Sequence, residues 1–101
     1  MIVVVNRLTV PAGFGARLEQ MFQGSGRMKG VPGFVDFALL KEGPTDDGRQ
    51  ERYATLTRWT DRAALDAWTQ SEGFRQAHRH AGEGGPIESQ VSIYEAVVEV
   101  A

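Results

Sequence analysis

The stretch IVVVNRLTV at residues 2–10 decides how this chain begins to fold. It is rich in β-branched side chains and alternates in the way typical of a strand. Four aliphatic residues share one phase of that alternation: Ile2, Val4, Leu8 and Val10. Asn6 falls in the same phase, although burying an amide without a partner costs about 1–3 kcal/mol. Asn6 is therefore either a structural pin bonded to a neighbouring loop or an amide donor directed at a bound ligand or a developing negative charge.

The pattern further along the chain predicts the order β-α-β-β-α-(α)-β. Helical spacing follows the first strand, and two alternating stretches flank the polar hairpin loop EGPTDDGR. The predicted strands span 2–10, 34–41, 50–59 and 88–100, the first helix runs from Ala12 to about Met28, and two short helices carry Trp68 and His78. Either Thr60 or Asp61 is a suitable N-cap for the helix that carries Trp68. This order is the split-βαβ, ferredoxin-like arrangement of an α+β fold, with helices on one face of an antiparallel sheet.

The last predicted strand is apolar on both faces. One face carries Val91, Ile93 and Val97, and the other carries Tyr94, Ala96, Val98 and Val100. Burial on both sides is typical of a barrel formed between two subunits. The 101 residues suit one domain spanning 1–101, and so small a core gains by pairing with a second copy. We therefore expect a homodimer.

Composition argues against several classes of partner and site. The formal net charge is −2, so the basic face that nucleic acid requires is not expected. There is no cysteine, which excludes disulfides, thiolate metal sites and cysteine nucleophiles. No apolar run approaches the roughly 20 residues of a membrane span, so no membrane association is expected. The first residues lack the features of a signal peptide, which favours a cytoplasmic protein.

Three aromatic or imidazole side chains are candidates for a site beside Asn6. His78 shares a predicted helix face with Phe74, Ala77 and Ala81, where it is either a core histidine bonded to a backbone carbonyl or a metal ligand. A lone histidine ligand suits heme iron, because the porphyrin supplies the other four donors. Trp68 is either a core residue or a rigid wall that presses on a planar ligand, and Phe22 would line the opposite wall.

Five short motifs together resemble a known family. They are NRLT at 6–9, GF at 33–34, T-x-W at 57–59, AW at 67–68 and FRQAHRH at 74–80. In these motifs and in its order of elements the chain resembles the IsdG-type heme-degrading monooxygenases of the antibiotic biosynthesis monooxygenase superfamily. The resemblance covers essentially the whole chain and implies a homodimeric α+β barrel with one heme per subunit. Heme would be both substrate and cofactor, and electrons would come from an external reductase.

The resemblance also implies a role for each candidate residue. His78 would be the proximal iron ligand and Asn6 the distal hydrogen-bond donor. Trp68 would crowd one face of the porphyrin and ruffle it, exposing a meso carbon, and Phe22 would pack on the macrocycle. The chain departs from the family at Ser25, where members often carry an arginine, so contacts to the propionates are expected to differ.

Three other functions stay open at this point. The same residues would serve a heme-binding protein that does not degrade heme. A cofactor-free monooxygenase acting on an aromatic polyketide would need no iron ligand at all. A small dimeric barrel without a ligand would use Asn6 and His78 only to bond the backbone.

Overall fold

The computed structural model describes residues 1–23, 28–71 and 87–101. Its elements in chain order are β1 (Ile2–Pro11), α1 (Gly15–Phe22), β2 (Phe34–Pro44), β3 (Gln50–Trp59), α2 (Arg62–Thr69) and β4 (Glu88–Glu95). The strands form one antiparallel sheet in the order β2-β3-β1-β4. This confirms the predicted α+β, ferredoxin-like fold. No helix within the described ranges is long and apolar enough to cross a bilayer.

The predicted start of the first helix at Ala12 is wrong, because α1 begins at Gly15. Gly13 adopts a left-handed φ of 88°, which ends the extended backbone of β1 in a turn. The Glu51 carboxylate of β3 then accepts hydrogen bonds from the backbone N–H groups of Gly13 (3.2 Å) and Gly15 (3.0 Å). A long-range contact therefore fixes where the helix begins. At its other end α1 stops at Phe22, and the predicted continuation over 24–27 lies outside the described residues.

Two further boundaries differ from the predictions. β2 continues to Pro44, so the hairpin loop is limited to residues 45–49, where Thr45 Oγ1 donates to Asp47 Oδ1 at 2.7 Å. β4 ends at Glu95 and not at residue 100. Its partner β1 begins at Ile2, opposite Glu95, so β1 offers no further strand residue to pair with. Of the two possible N-caps of α2, Asp61 is the one used, since its Oδ1 accepts from the backbone N–H of Ala64 at 2.8 Å.

The core lies between the helices and one face of the sheet. Its buried cluster is Leu8, Val10, Leu18 and Tyr53, with Phe14, Phe22, Leu39 and Ile87 packed against it. Leu8 and Val10 share a face of β1 with Asn6, so the predicted buried phase is confirmed. Trp59 and Leu65 are buried further along the same side. Here α2 lies directly against the start of β2, because a Cβ atom at Gly33 would overlap the side chain of Ala64.

Candidate functional site

Asn6 lies in the middle of β1, an interior strand of the sheet. Its neighbours are Thr55 of β3 on one side and Val91 of β4 on the other. Thr55 is in turn opposite Leu39 of β2, and Phe37 lies two residues before Leu39 on the same face. We call these four helix-facing residues the site floor: Asn6, Thr55, Leu39 and Phe37. Regular pairing on both sides of β1 holds the backbone of Asn6 rigidly.

The amide oxygen of Asn6 is buried, and no hydrogen-bond donor reaches it from the described residues. A buried acceptor without a donor costs about 1–3 kcal/mol. Within the described residues, no loop therefore bonds this atom in the manner of a structural pin. The amide carries both a strong acceptor and two donors, so it can hydrogen-bond a polar atom of a ligand in either sense. Asn6 thus provides a polar position on an otherwise largely apolar surface.

A pair of indoles lies on the same face of the sheet. Trp59 at the end of β3 and Trp68 near the end of α2 stack with their ring centroids 6.3 Å apart and an interplanar angle of 27°. Trp59 is 1% exposed and is a core residue, whereas Trp68 is half-buried. We call Trp59 and Trp68 the indole pair. The sequence left two alternatives for Trp68, a core residue or a wall of a ligand site. In the structure Trp59 is the fully buried indole, and Trp68 keeps part of its surface exposed.

The register of the sheet gives the spacing between Asn6 and the indole pair. Ile2 of β1 is the cross-strand partner of Trp59, and four residues of strand separate Ile2 from Asn6. At about 3.3 Å per residue, that is roughly 13 Å along the sheet. This is the spacing between the backbone positions of Asn6 and Trp59, whose side chains share the helix-facing side of the sheet.

Phe22 is the last residue of α1 and stacks on Phe37, with ring centroids 5.6 Å apart and an interplanar angle of 22°. This places an aromatic side chain of α1 over the site floor. The role of Phe22 as a wall of a ligand site stays a prediction. The sequence reasoning did not single out Phe37, although it alternates in phase with Leu39 in the stretch FVDFALLK. The helix-facing side thus carries two stacked aromatic pairs. In each pair, one ring comes from a helix and the other from a strand.

The floor and the indole pair are electrically neutral, since none of their side chains titrates. Among the described residues, Tyr53 of the core cluster has a strongly shifted pKa. Burial, reinforced by the hydrogen bond that its hydroxyl donates to Glu19 at 2.7 Å, raises the pKa of Tyr53 to about 12. These residues can therefore orient and enclose a ligand, but they cannot act as general acids or bases near neutral pH.

Two residues named from the sequence fall outside the described ranges. His78 lies within 72–86 and Ser25 within 24–27. The role of His78 as an iron ligand therefore stays a prediction. In the described part of the chain, no three His, Cys, Asp or Glu side chains group together as a metal site.

Comparison with known proteins gives one matching family model, described as antibiotic biosynthesis monooxygenase, over residues 1–80. The continuation of that domain to residue 101 stays a prediction. Among curated relatives, a heme-degrading monooxygenase of Bacillus cereus is 30% identical over 101 residues, which is 97% of this chain and 92% of that protein.

Solved structures give the same grouping. The heme degrader MhuD of Mycobacterium tuberculosis, solved with two hemes bound in its active site, is 30% identical with a TM-score of 0.77, and the match covers 100% of both chains. SnoaB, a cofactor-independent oxygenase of Streptomyces nogalater, is 24% identical with a TM-score of 0.70 over 98% of this chain and 95% of SnoaB. At that identity, the likeness to SnoaB indicates a common fold and nothing about chemistry.

Proposed function

This chain belongs to the antibiotic biosynthesis monooxygenase family, and we propose that within it the chain is a heme-degrading monooxygenase. It opens the porphyrin ring in an oxygen-dependent reaction and releases iron and a linear tetrapyrrole. The observation that carries the proposal is the buried amide oxygen of Asn6, which has no donor among the described residues and lies on the same sheet face as two stacked aromatic pairs. Relatives named for heme degradation match this chain over nearly its whole length.

The described residues suit heme as a substrate. Heme is large and flat, and aromatic side chains from both described helices, Phe22 and Trp68, lie on the same side of the sheet as Asn6. The neutral side chains of the site floor and the indole pair favour the apolar macrocycle over a charged ligand. Asn6 then supplies a polar contact close to the reacting centre, which heme oxygenation requires in an otherwise dry pocket.

Four residues are proposed to hold and orient the substrate. His78 is the proximal iron ligand, since a neutral imidazole is the usual single protein ligand of heme iron. Asn6 orients the distal side through its amide, and Phe22 packs on the macrocycle. Trp68 presses on one face of the porphyrin and distorts it towards a reactive meso carbon. Bound heme itself supplies the iron that activates dioxygen.

A second copy of the chain and an electron donor complete the proposal. On the sheet face opposite the helices, Leu40 and Tyr94 are 46% and 47% exposed in the single chain. Beyond β4, Val97 and Val100 are 84% and 91% exposed. A homodimer would cover this apolar area, as in the barrel expected from the sequence. The reducing electrons come from an external reductase, because the sequence has no motif for a nicotinamide or flavin.

Titration of the apoprotein with hemin, followed by ascorbate in air, tests the function. Catalase is included to remove free hydrogen peroxide, and both the Soret absorbance and released iron are followed. We expect saturable binding of hemin, followed after the addition of ascorbate by loss of the Soret band and release of iron. A protein that only binds heme would keep its Soret band, and a cofactor-free monooxygenase would show no specific hemin binding. Either result would overturn the proposal.

A further inference from the structure

We propose that Trp59 is a positioning residue, which sets the plane of the Trp68 indole and thereby selects the meso carbon at which the porphyrin opens. The inference rests on the proposed function, because it assigns Trp59 a role in the same site. Trp59 acts through its stack with Trp68. The two ring centroids lie 6.3 Å apart, and the interplanar angle is 27°. It is 1% exposed and so serves as the fixed member of the indole pair.

Two contacts fix the orientation of Trp59. Its Nε1–H donates to Thr57 Oγ1 at 3.1 Å, on the same strand and the same face. The Phe34 ring meets it edge-on, with centroids 5.5 Å apart and an interplanar angle of 71°. The hydrogen bond limits rotation of the indole within its plane, and the edge-on ring limits its tilt. Trp59 is therefore held more tightly than packing alone would hold it.

The helix that carries Trp68 is anchored at its other end. Asp61 caps α2, and the backbone N–H of Thr60 donates to the Gly33 carbonyl at 2.9 Å. One turn before Trp68, Leu65 is buried. Because the helix backbone is fixed in this way, the orientation of the indole of Trp68 depends on the contacts of its side chain, and the stack on Trp59 is one of them. Stacking on Trp59 restricts rotation of the indole.

This arrangement separates two properties of the site. Heme affinity depends on the iron ligand and on the apolar area that is buried, and a small tilt of Trp68 changes neither. The distortion of the porphyrin depends on where the indole presses, which a small tilt does change. A change at Trp59 should therefore alter the rate and the ratio of tetrapyrrole isomers more than the dissociation constant of heme.

The test compares Thr57→Val with Thr57→Ser. Valine keeps the shape but removes the acceptor for Trp59 Nε1, whereas serine keeps the hydroxyl. If the net free energy of such a hydrogen bond is lost in the transition state, the rate falls by about 3- to 10-fold. We expect Thr57→Val to slow turnover by about that factor, to shift the isomer ratio and to leave the dissociation constant within about twofold. Thr57→Ser should restore the parental rate and isomer ratio.

Two controls make the outcome decisive. Thr45→Val makes the same substitution in the remote hairpin loop and should leave heme turnover unchanged. Near-ultraviolet circular dichroism of the heme-free protein reports the indole pair directly, and it should change in Thr57→Val but not in Thr57→Ser. The dichroism spectrum can be measured even if the protein proves not to degrade heme. A failure of the proposed heme degradation is therefore distinguishable from a failure of the role proposed for Trp59. Equal isomer ratios in the two Thr57 variants, or an unchanged dichroism spectrum in Thr57→Val, would overturn the inference.

Discussion

Asn6 on the helix-facing side of the sheet and Asp36 on the opposite side differ in whether their oxygen atoms have hydrogen-bond donors. On the face opposite the helices, the Arg58 guanidinium forms a two-point hydrogen bond with Asp36, and Arg7 donates to Ser92 Oγ at 3.4 Å. These groups are half-exposed or exposed and still have partners. On the helix-facing side, the amide oxygen of Asn6 is buried and lacks a donor within the described residues. A buried acceptor of this kind requires an explanation. We propose that a bound ligand on the helix-facing side supplies the missing hydrogen bond.

The largest expected effect tests whether the helix-facing side binds heme through a single histidine. We expect His78→Ala to weaken heme binding at least about 100-fold, because even changes to groups that merely support a metal ligand cost about 10- to 100-fold. Hemin titration followed at the Soret band measures the effect. His80→Ala is the matched control, since on the helix that the sequence predicts here residues two apart would not share a face. Equal affinity in His78→Ala and the parent would remove the proposed iron ligand.

Asn6 offers the next largest effect. Asn6→Ala should keep heme affinity and lower turnover by about 100-fold, the size typical for loss of a preorganised donor near a reacting centre. Single-turnover decay of the Soret band in air gives the rate. Heme turnover at the parental rate in Asn6→Ala would show that the distal role assigned to this amide is wrong.

The same position makes an unusual stability prediction. Asn6→Leu has nearly the same shape and removes the unsatisfied oxygen, so it should stabilise the heme-free protein by about 1 kcal/mol. Urea denaturation of the apoprotein measures this, and activity should be lost at the same time. Thr55→Val, at the neighbouring position of the floor, serves for comparison, because no buried unsatisfied atom is found there. A destabilised Asn6→Leu protein would mean that the amide contributes to the fold.

The smallest effect belongs to the opposite face. The hydrogen bond from Arg58 holds the pKa of Asp36 below its usual 3.8. A carboxyl with a lowered pKa contributes stability above its unfolded pKa, and this is lost as the pH falls through the folded value. Denaturation midpoints should therefore fall less between pH 5 and pH 3 (values chosen to bracket the usual pKa, about 4) in Asp36→Asn than in the parent.

At neutral pH the Asp36→Asn change should cost less stability than Asn6→Leu gains, since half-exposed ion pairs contribute little. Asp46→Asn in the hairpin loop is the control for a lost surface carboxylate. If Asp36→Asn and the parent lost the same stability between pH 5 and pH 3, the ion pair between Arg58 and Asp36 would not contribute to the free energy of unfolding.

Much of the fold could be predicted from local pattern, and the exceptions have physical causes. β1 and β3 were located to within a residue because alternation marks them directly. The start of α1 was missed because it depends on Glu51, more than thirty residues away. The end of β4 was missed because apolar alternation continues to Val100, whereas pairing with β1 stops at Glu95. The alternation of apolar residues shows that a segment favours an extended backbone. A strand also needs a neighbouring strand long enough to pair with it.

The candidate site was predicted in part. Asn6, Phe22 and Trp68 were named from sequence, and the structure places all three on the helix-facing side. The partnership between Trp59 and Trp68 was not predicted, because it joins a strand end to a helix end through packing that no local spacing encodes. Phe37 was missed for a related reason, since its importance comes from the Phe22 ring stacked on it. Roles that arise from tertiary contacts need the fold before they can be assigned.

The tight seam at Gly33 has a consequence for engineering the substrate range. Its φ of 79° and its closeness to Ala64 leave no room for a side chain, so even one added methyl group would act as a wedge beneath the first turn of α2. Trp68 lies towards the other end of the same helix, so a displacement of the first turn is expected to move Trp68 as well. Substitutions at Gly33 or Ala64 should therefore change the position of Trp68 without replacing it.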